Sequence, residues 1–378
     1  MLKVVKFGGT SLADATNIRK VRDIIKADPS RRFVVPSAPG KRFSSDEKIT
    51  DMLYKCHTLM ADKAQCDSVF DRIAERFINI AKDLGIKTDG IANELEQVRQ
   101  RLHAGCTKDF IASRGEYLNA HIISEYLGFE FVDAAEIIRF SDSGQFLSDV
   151  TNELASKRLS GMQCAVIPGF YGAQENGEIK TFSRGGSDYS GSLIARAVNA
   201  DLYENWTDVS GFLVADPRIV DNPKIIRRIT YKELRELSYM GATVLHEDAV
   251  FPVRISGIPI NIKNTNIPDE PGTLIIPNDD SAQAFGVTGI AGKKGFTIIT
   301  IEKDRMNSEL GFARRVLSVL ERHGVSLEHL PTSIDAMSVV VADSDLEGKL
   351  DTIIAEIKET VNPDSVMVEK GIAMVATV

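Results

Sequence analysis

The sequence predicts an α/β protein: a mostly parallel sheet sandwiched by helices, followed by a small α+β unit. Three observations carry this. Up to about residue 275, short apolar runs alternate with amphipathic helical stretches. A proline-punctuated stretch, Asn266-Ile267-Pro268-Asp269-Glu270-Pro271-Gly272, then interrupts that rhythm. Beyond it the strand and helix patterns run βαββαβ, the ferredoxin-like order of small ligand-binding modules.

Residues 3–7 read as the first strand. Residues 15–25 read as a helix, with Ile18, Val21, Ile24 and Ile25 on one face and Asp14 as its cap. Residues 33–35, 164–167 and 259–263 read as further strands, and 68–84 as another helix. Pro36 sits inside a strand run, where a missing N–H suggests a local break in pairing. The pattern changes after Pro277-Asn278-Asp279-Asp280, which gives two domains, 1–280 and 285–370. In the second, residues 296–302 form a strand. Residues 309–323 form a helix with Phe312, Val316, Val319 and Leu320 on one face, closed by Gly324. Strands at 326–333 and 336–342, a helix at 346–361 and a strand at 365–369 complete it. One more apolar run, 371–378, has no continuation.

Composition narrows the function. A hydrophobic fraction of 43% suffices for a sizeable core. A net charge of -8 argues against nucleic-acid binding, which needs a cationic surface. Cys56, Cys66, Cys106 and Cys164 form no CxxC pair, so neither zinc nor a redox dithiol is signalled. The N-terminus enters a strand at once, without a signal-peptide pattern, and no apolar run is long enough to span a membrane. These features predict a cytoplasmic enzyme with no membrane or nucleic-acid partner.

Four segments carry chemistry. Lys6-Phe7-Gly8-Gly9-Thr10-Ser11 follows the first strand and precedes a helix. Paired glycines let amides approach an anion, and Lys6 stands ready for a transferring phosphoryl group. The alternative is an ordinary strand-to-helix turn with a solvated lysine. Thr181-Phe182-Ser183-Arg184-Gly185-Gly186-Ser187-Asp188 opens a second helix, where Arg184 offers a planar fork for a carboxylate and Gly185, Gly186 and Ser187 offer amides. Asp188, an acid beside an anion site, is expected to hold a cation. Thr207-Asp208-Val209-Ser210-Gly211-Phe212, with Asp216-Pro217-Arg218, suits nucleotide recognition at a strand end. In Ser113-Arg114-Gly115-Glu116 the glutamate can take a substrate amino group, although in isolation it reads as a helix-cap or solvated residue. No P-loop is present, so any ATP is bound without one.

In content and order these segments resemble the aspartate kinases of the amino-acid kinase superfamily. KFGGTS stands at 6–11, VVPSAPG at 34–40, RGE at 114–116, PGFYG at 168–172 and TFSRGGSDYSG at 181–191. TDVSGF at 207–212, ADPR at 215–218 and NIKNTN at 261–266 follow. The C-terminal unit resembles an ACT regulatory domain.

The resemblance implies ATP and Mg²⁺ as partners and phosphorylation of the L-aspartate β-carboxylate. It matches Lys6 to the phosphoryl-contacting lysine, Asp188 to the acid that organises it, and Arg184 and Glu116 to the carboxylate and amino partners of aspartate. Ser37 and Thr50 match substrate-site hydroxyls. Thr10, Ser11, Thr207, Asp208, Asp216 and Arg218 fall on the nucleotide side. Two departures lie there: Leu213 replaces a usual tyrosine and Thr243 a usual lysine, for which Lys263 is a candidate substitute. Met306, Ser308, Glu328, Thr332 and Ser333 match an effector site for lysine or threonine, within ACT units that pair into homo-oligomers. Relatives carry two such units, so 371–378 reads as the start of a second, truncated one. Two competing readings are another amino-acid kinase, such as an N-acetylglutamate or glutamate kinase, and a catalytically silent amino-acid sensor.

Overall fold

A computed structural model describes the chain except Arg184, residues 242–246 and 278–285, and the side chains of 247 and 248. The expected domain boundary near 280 and the Thr243 departure therefore lie outside the described residues. The chain divides into two compact units, Met1–Ser238 with Ala242–Gly289, and Tyr239–Gly241 with Ile290–Val378.

In the first unit the strands are Lys3–Phe7 (β1), Arg31–Pro36 (β2), Glu130–Phe131 (β3), Arg139–Phe140 (β4), Ala165–Val166 (β5), Tyr171–Gln174 (β6), Ile179–Thr181 (β7), Leu202–Thr207 (β8), Arg228–Thr230 (β9), Ile260–Asn264 (β10) and Thr273–Ile276 (β11). Eight form one sheet in the order β3-β5-β2-β1-β8-β10-β11-β9, while β4, β6 and β7 form a small second sheet. The first six of the eight run parallel, and β11 joins β10 antiparallel. This is the predicted mostly parallel sheet.

The helices are Ala15–Lys26 (α1), Ile49–Thr58 (α2), Lys63–Leu84 (α3), Thr88–Ala104 (α4), Lys108–Leu127 (α5), Ala134–Ile137 (α6), Ser148–Leu159 (α7), Gly186–Ala197 (α8), Tyr231–Tyr239 (α9) and Glu247–Ile255 (α10). Asp14 caps α1 as predicted, its carboxylate accepting from Asn17 N at 2.9 Å. Val5, Phe7, Val34 and Trp206 point to one face of the sheet and pack against α1 to α5 in a continuous apolar core. Alternation sends Lys6 and Asn205 to the opposite face, where α8 lies. Pro36 breaks nothing: it is the last residue of β2, still paired with Phe7, so its missing N–H falls at the strand end. Cys56 and Cys66 are buried, and burial pushes the Cys56 thiol up to about 12. Among the described residues, no helix is long and apolar enough to cross a membrane.

The second unit contains Ile290–Glu302 (β12), Phe312–Arg322 (α11), Ala336–Ala342 (β13), Asp343–Leu346 (α12), Leu350–Val361 (α13) and Ser365–Thr377 (β14). Its sheet runs β13-β12-β14, all antiparallel, over its own apolar core, an arrangement consistent with an ACT domain. Three details differ from expectation. Residues 326–333 form no strand; only His329 and Thr332 make isolated bridges, to Val340 and Met337. The helix expected over 346–361 begins only at Leu350, as α13; Leu346 instead ends the short α12, and between them Gly348 adopts φ 73, which few side chains tolerate. The two expected final strands are one, β14, whose register along β12 runs from Glu302↔Ser365 to Ile290↔Thr377 with shifts around Phe296.

Candidate active site

Parallel sheets bind ligands beyond the carboxyl ends of their strands, and there the end of β1, the start of α8 and the end of β8 meet. Lys6 is the penultimate residue of β1. Its ammonium is buried (7% exposed) and lies 2.5 Å from Asp188 Oδ1 and 3.4 Å from Asn205 Oδ1. Asn205 Nδ2 donates to Asp188 Oδ1 at 2.8 Å, closing a triangle of β1, α8 and β8. Asp188 therefore holds a cation, as its setting suggested. Asn205 is a member that sequence reasoning missed.

Gly8 and Gly9 follow. The Gly8 N–H donates to Trp206 O at 3.0 Å, so it is not free for an anion, contrary to the expectation for both glycine amides. Gly8 contributes space instead: a Cβ there would lie 3.7 Å from the Lys6 ammonium. Gly9 is pressed against the loop after β2. A Cβ on Gly9 would meet Ala38 O at 2.8 Å, and one on Gly40 would meet Gly9 C at 2.6 Å. Main chain touches main chain here, and Gly40 N donates to Gly9 O at 2.8 Å.

A buried arginine from α3 braces these loops. Arg76 donates to Ala13 O (3.0 Å), Glu47 O (3.1 Å) and Gly40 O, and stands 3.5 Å from the Asp46 carboxylate. No motif signalled it.

On the substrate side, Gly115 lets α5 lie against the same loop; a Cβ there would be 2.8 Å from the Ala38 Cβ. Glu116 is buried, not solvated. Burial pushes its carboxyl up to about 8, against the pull of the Ala38 N–H and Arg114. Arg114 itself is enclosed by the rings of Phe110, Tyr117 and Tyr171. The Ser37 carbonyl accepts from Asn119 Nδ2 at 2.7 Å, and Thr50 is the second residue of α2. Gly185 caps α8, and Gly169, after β5, would bring a Cβ to 2.8 Å from the Ser187 Cβ. A Cβ on Gly186 would strike Phe170 at 2.7 Å. Arg184 lies outside the described residues.

The nucleotide-side residues are more dispersed. Thr10 is exposed, whereas Ser11 is buried with its Oγ 2.7 Å from Thr265 Oγ1. Thr207 Oγ1 donates to Asp208 at 3.2 Å. Asp216 accepts from Arg218 N at 2.8 Å and from its guanidinium at 2.6 Å, which draws Asp216 down to about 2. Lys263 pairs in register with Trp206 and lies 5.0 Å from its ring, beside Glu204. That is the sheet face opposite Lys6, so it does not replace the missing nucleotide-side lysine. Among the described residues no three His, Cys, Asp or Glu side chains converge as a metal site.

In the second unit Asn307 N donates to Ile334 O, which brings the Met306–Ser308 turn against the 332–335 turn. Met306, Ser308, Thr332 and Ser333 thus share one end. Glu328 N bonds Val340 O, four residues along β13 from Ala336, or about 13 Å away, so the fold does not gather it with the other four.

Residues 1–264 match the model of the amino acid kinase family. The chain is 37% identical to aspartokinase 3 of Bacillus subtilis, across 100% of its own length and 86% of the relative's. It is similar in structure to the Clostridium acetobutylicum aspartate kinase: TM-score 0.88, 54% identity, 100% of this chain and 86% of that one. It is also similar to E. coli aspartokinase III, solved with aspartate and ADP in an R-state (TM-score 0.72, 26% identity, 100% and 87% covered) and with lysine and aspartate in a T-state (TM-score 0.71, 27% identity, 100% and 87% covered).

Proposed function

The chain belongs to the amino acid kinase family and, within it, to the aspartokinases, and from that premise we propose that Lys6, Asp188 and the Gly8–Gly9 loop carry phosphoryl transfer from ATP to the β-carboxylate of L-aspartate, giving 4-phospho-L-aspartate. The observation that carries this is the buried Lys6–Asp188–Asn205 triangle beside the glycine loop at the carboxyl ends of β1 and β8.

The acceptor carboxylate is ionised at neutral pH, so no general base is needed. The barrier is charge: two anions must meet. Lys6 supplies positive charge, and Asp188 with Asn205 fixes its direction. The space beside Lys6 left by Gly8 fits a phosphate oxygen, while Gly9 and the turn it opens, residues 9–12, offer amides. Mg²⁺ would enter with the nucleotide, since the described residues hold no three-ligand cage; it prefers phosphate oxygens and water with one or two carboxylates. Glu116, at the back of the pocket, faces the substrate amino group, and Arg184 takes its α-carboxylate. Thr10, Ser11, Thr207, Asp208, Asp216 and Arg218 hold the nucleotide. Lysine or threonine acts as a feedback effector through the turns holding Met306, Ser308, Thr332 and Ser333, with Glu328 completing the site in an ACT-paired homo-oligomer.

The test is ATP turnover with hydroxylamine trapping of the acyl phosphate, using L-aspartate, L-glutamate and N-acetyl-L-glutamate in parallel. Hydroxamate with aspartate alone supports the assignment. Hydroxamate with glutamate or N-acetylglutamate instead selects another amino-acid kinase. No hydroxamate from a chain that still binds lysine or threonine selects a silent sensor.

A further inference from the structure

Two buried acceptors on one face of α5 have no donor. Glu116 Oε2 and Asn119 Oδ1 are shielded from solvent and make no hydrogen bond, in side chains 6% and 0% exposed. Residues three apart on a helix are neighbours on its surface. The Asn119 amide cannot be turned to relieve this. Its Nδ2 donates to the Ser37 carbonyl at 2.7 Å, and a flipped amide would set two oxygens against each other. The face is closed by the 37–40 loop, which packs on Gly115, and that loop also meets Gly9. Orphaned buried acceptors are costly, and once Glu116 is ionised this pair has no donor of its own, so it calls for a polyvalent one.

We propose that Asn119 is a substrate-recognition residue: its Oδ1, together with Glu116, receives the α-ammonium group of the amino acid. This rests on the reading of Glu116 as the amino-group partner and extends it. An ammonium group carries three donors, enough for both acceptors with one left over. The carboxylate supplies charge. The amide supplies direction without adding a second negative charge to a site that must also admit two substrate carboxylates. Asn119 thereby selects a free amine over a hydrogen or an acylated nitrogen at that position.

The experiment compares L-aspartate with succinate, which keeps both carboxylates and lacks the amine. KM for aspartate and the inhibition constant of succinate against aspartate are measured for the unaltered chain, Asn119→Leu and Asn119→Ala. Hydrogen bonds to charged groups predict an aspartate KM about tenfold or more higher in both variants. The succinate constant should stay within about twofold. Equal weakening of both ligands would overturn the inference, because it would mean that Asn119 only props the Ser37 loop. No change for either ligand would overturn it too, assigning the two acceptors to water. Two variants guard against one failing to fold. Absence of aspartate turnover by the unaltered chain would overturn the kinase reading and this inference with it; normal turnover with unaltered selectivity in the variants would overturn the inference alone.

Discussion

Replacing Glu116 by glutamine should make the unliganded protein more stable relative to the unaltered chain as pH rises. The carboxyl has an ordinary value of 4.5 and is pushed up to about 8 by burial. Between those limits the folded chain binds more protons at this site than the unfolded one. Stability is therefore lost as pH rises through that window, by about 1.4 kcal/mol per pH unit. Glutamine does not titrate and carries no such loss. From pH 5.5 to 8.0 the difference in unfolding free energy between variant and unaltered chain should grow by roughly 3 kcal/mol. Urea unfolding of both proteins at the two pH values, without substrate, measures it directly. A difference that grows by less than about 1 kcal/mol would refute the argument that burial dominates at Glu116. A second readout follows from the same cause. An arriving ammonium group drives Glu116 to its ionised form, so aspartate binding releases a proton, and the aspartate KM of the unaltered chain should fall between pH 6 and pH 8. A KM flat across that range would count against the assignment.

Lys6→Ala should lower kcat about 10²-fold or more, while changing the aspartate KM far less, because its charge acts on the transferring group; steady-state kinetics that show weakened aspartate binding with normal turnover would remove that role. Gly40→Ala places a Cβ 2.6–2.7 Å from main-chain atoms of Gly9 and Thr10, so the glycine loop must move; turnover should drop at least about tenfold, with a stability loss of roughly 1–3 kcal/mol by urea unfolding. Arg76→Met leaves three carbonyls without their charged donor, while Asp46 keeps its hydrogen bonds from Arg42, and should cost about 2–4 kcal/mol in the same measurement. A loss under 1 kcal/mol would show that the brace is dispensable.

What was legible in the sequence was local. The α1 face with its Asp14 cap, the β1 run and the glycine loop depend on residues within a few positions of each other. Lys6 and Asp188 stood out because each belongs to a motif with a chemical reason for its charge. Asn205 had none: it meets Lys6 only after β1 and β8 pair, across a sequence separation of 199. Arg76 and Asn119 were hidden for the same reason, since each reads as an ordinary helical polar residue until the loop after β2 lands on it. Lys263 misled because strand parity decides its face, and parity follows from register with Trp206. The 326–333 segment forms only two bridges, and Pro331 within it has no N–H to give a ladder, while Gly348 delays a helix whose apolar period alone would begin it at Leu346.

The brace at Arg76 bears on how this pocket can change. At three of the four residues it contacts, it grips peptide oxygens rather than side chains: Ala13, Gly40 and Glu47 are recognised by their main chain. Side chains at positions 13 and 47 can be exchanged without removing those bonds, whereas Gly40 is held by lack of space. The intervening stretch 41–45 is mostly exposed and is anchored at both ends. Apart from Arg42, which pairs with Asp46, that stretch is thus free to drift, because the frame is remembered by the backbone and the surface is left to vary.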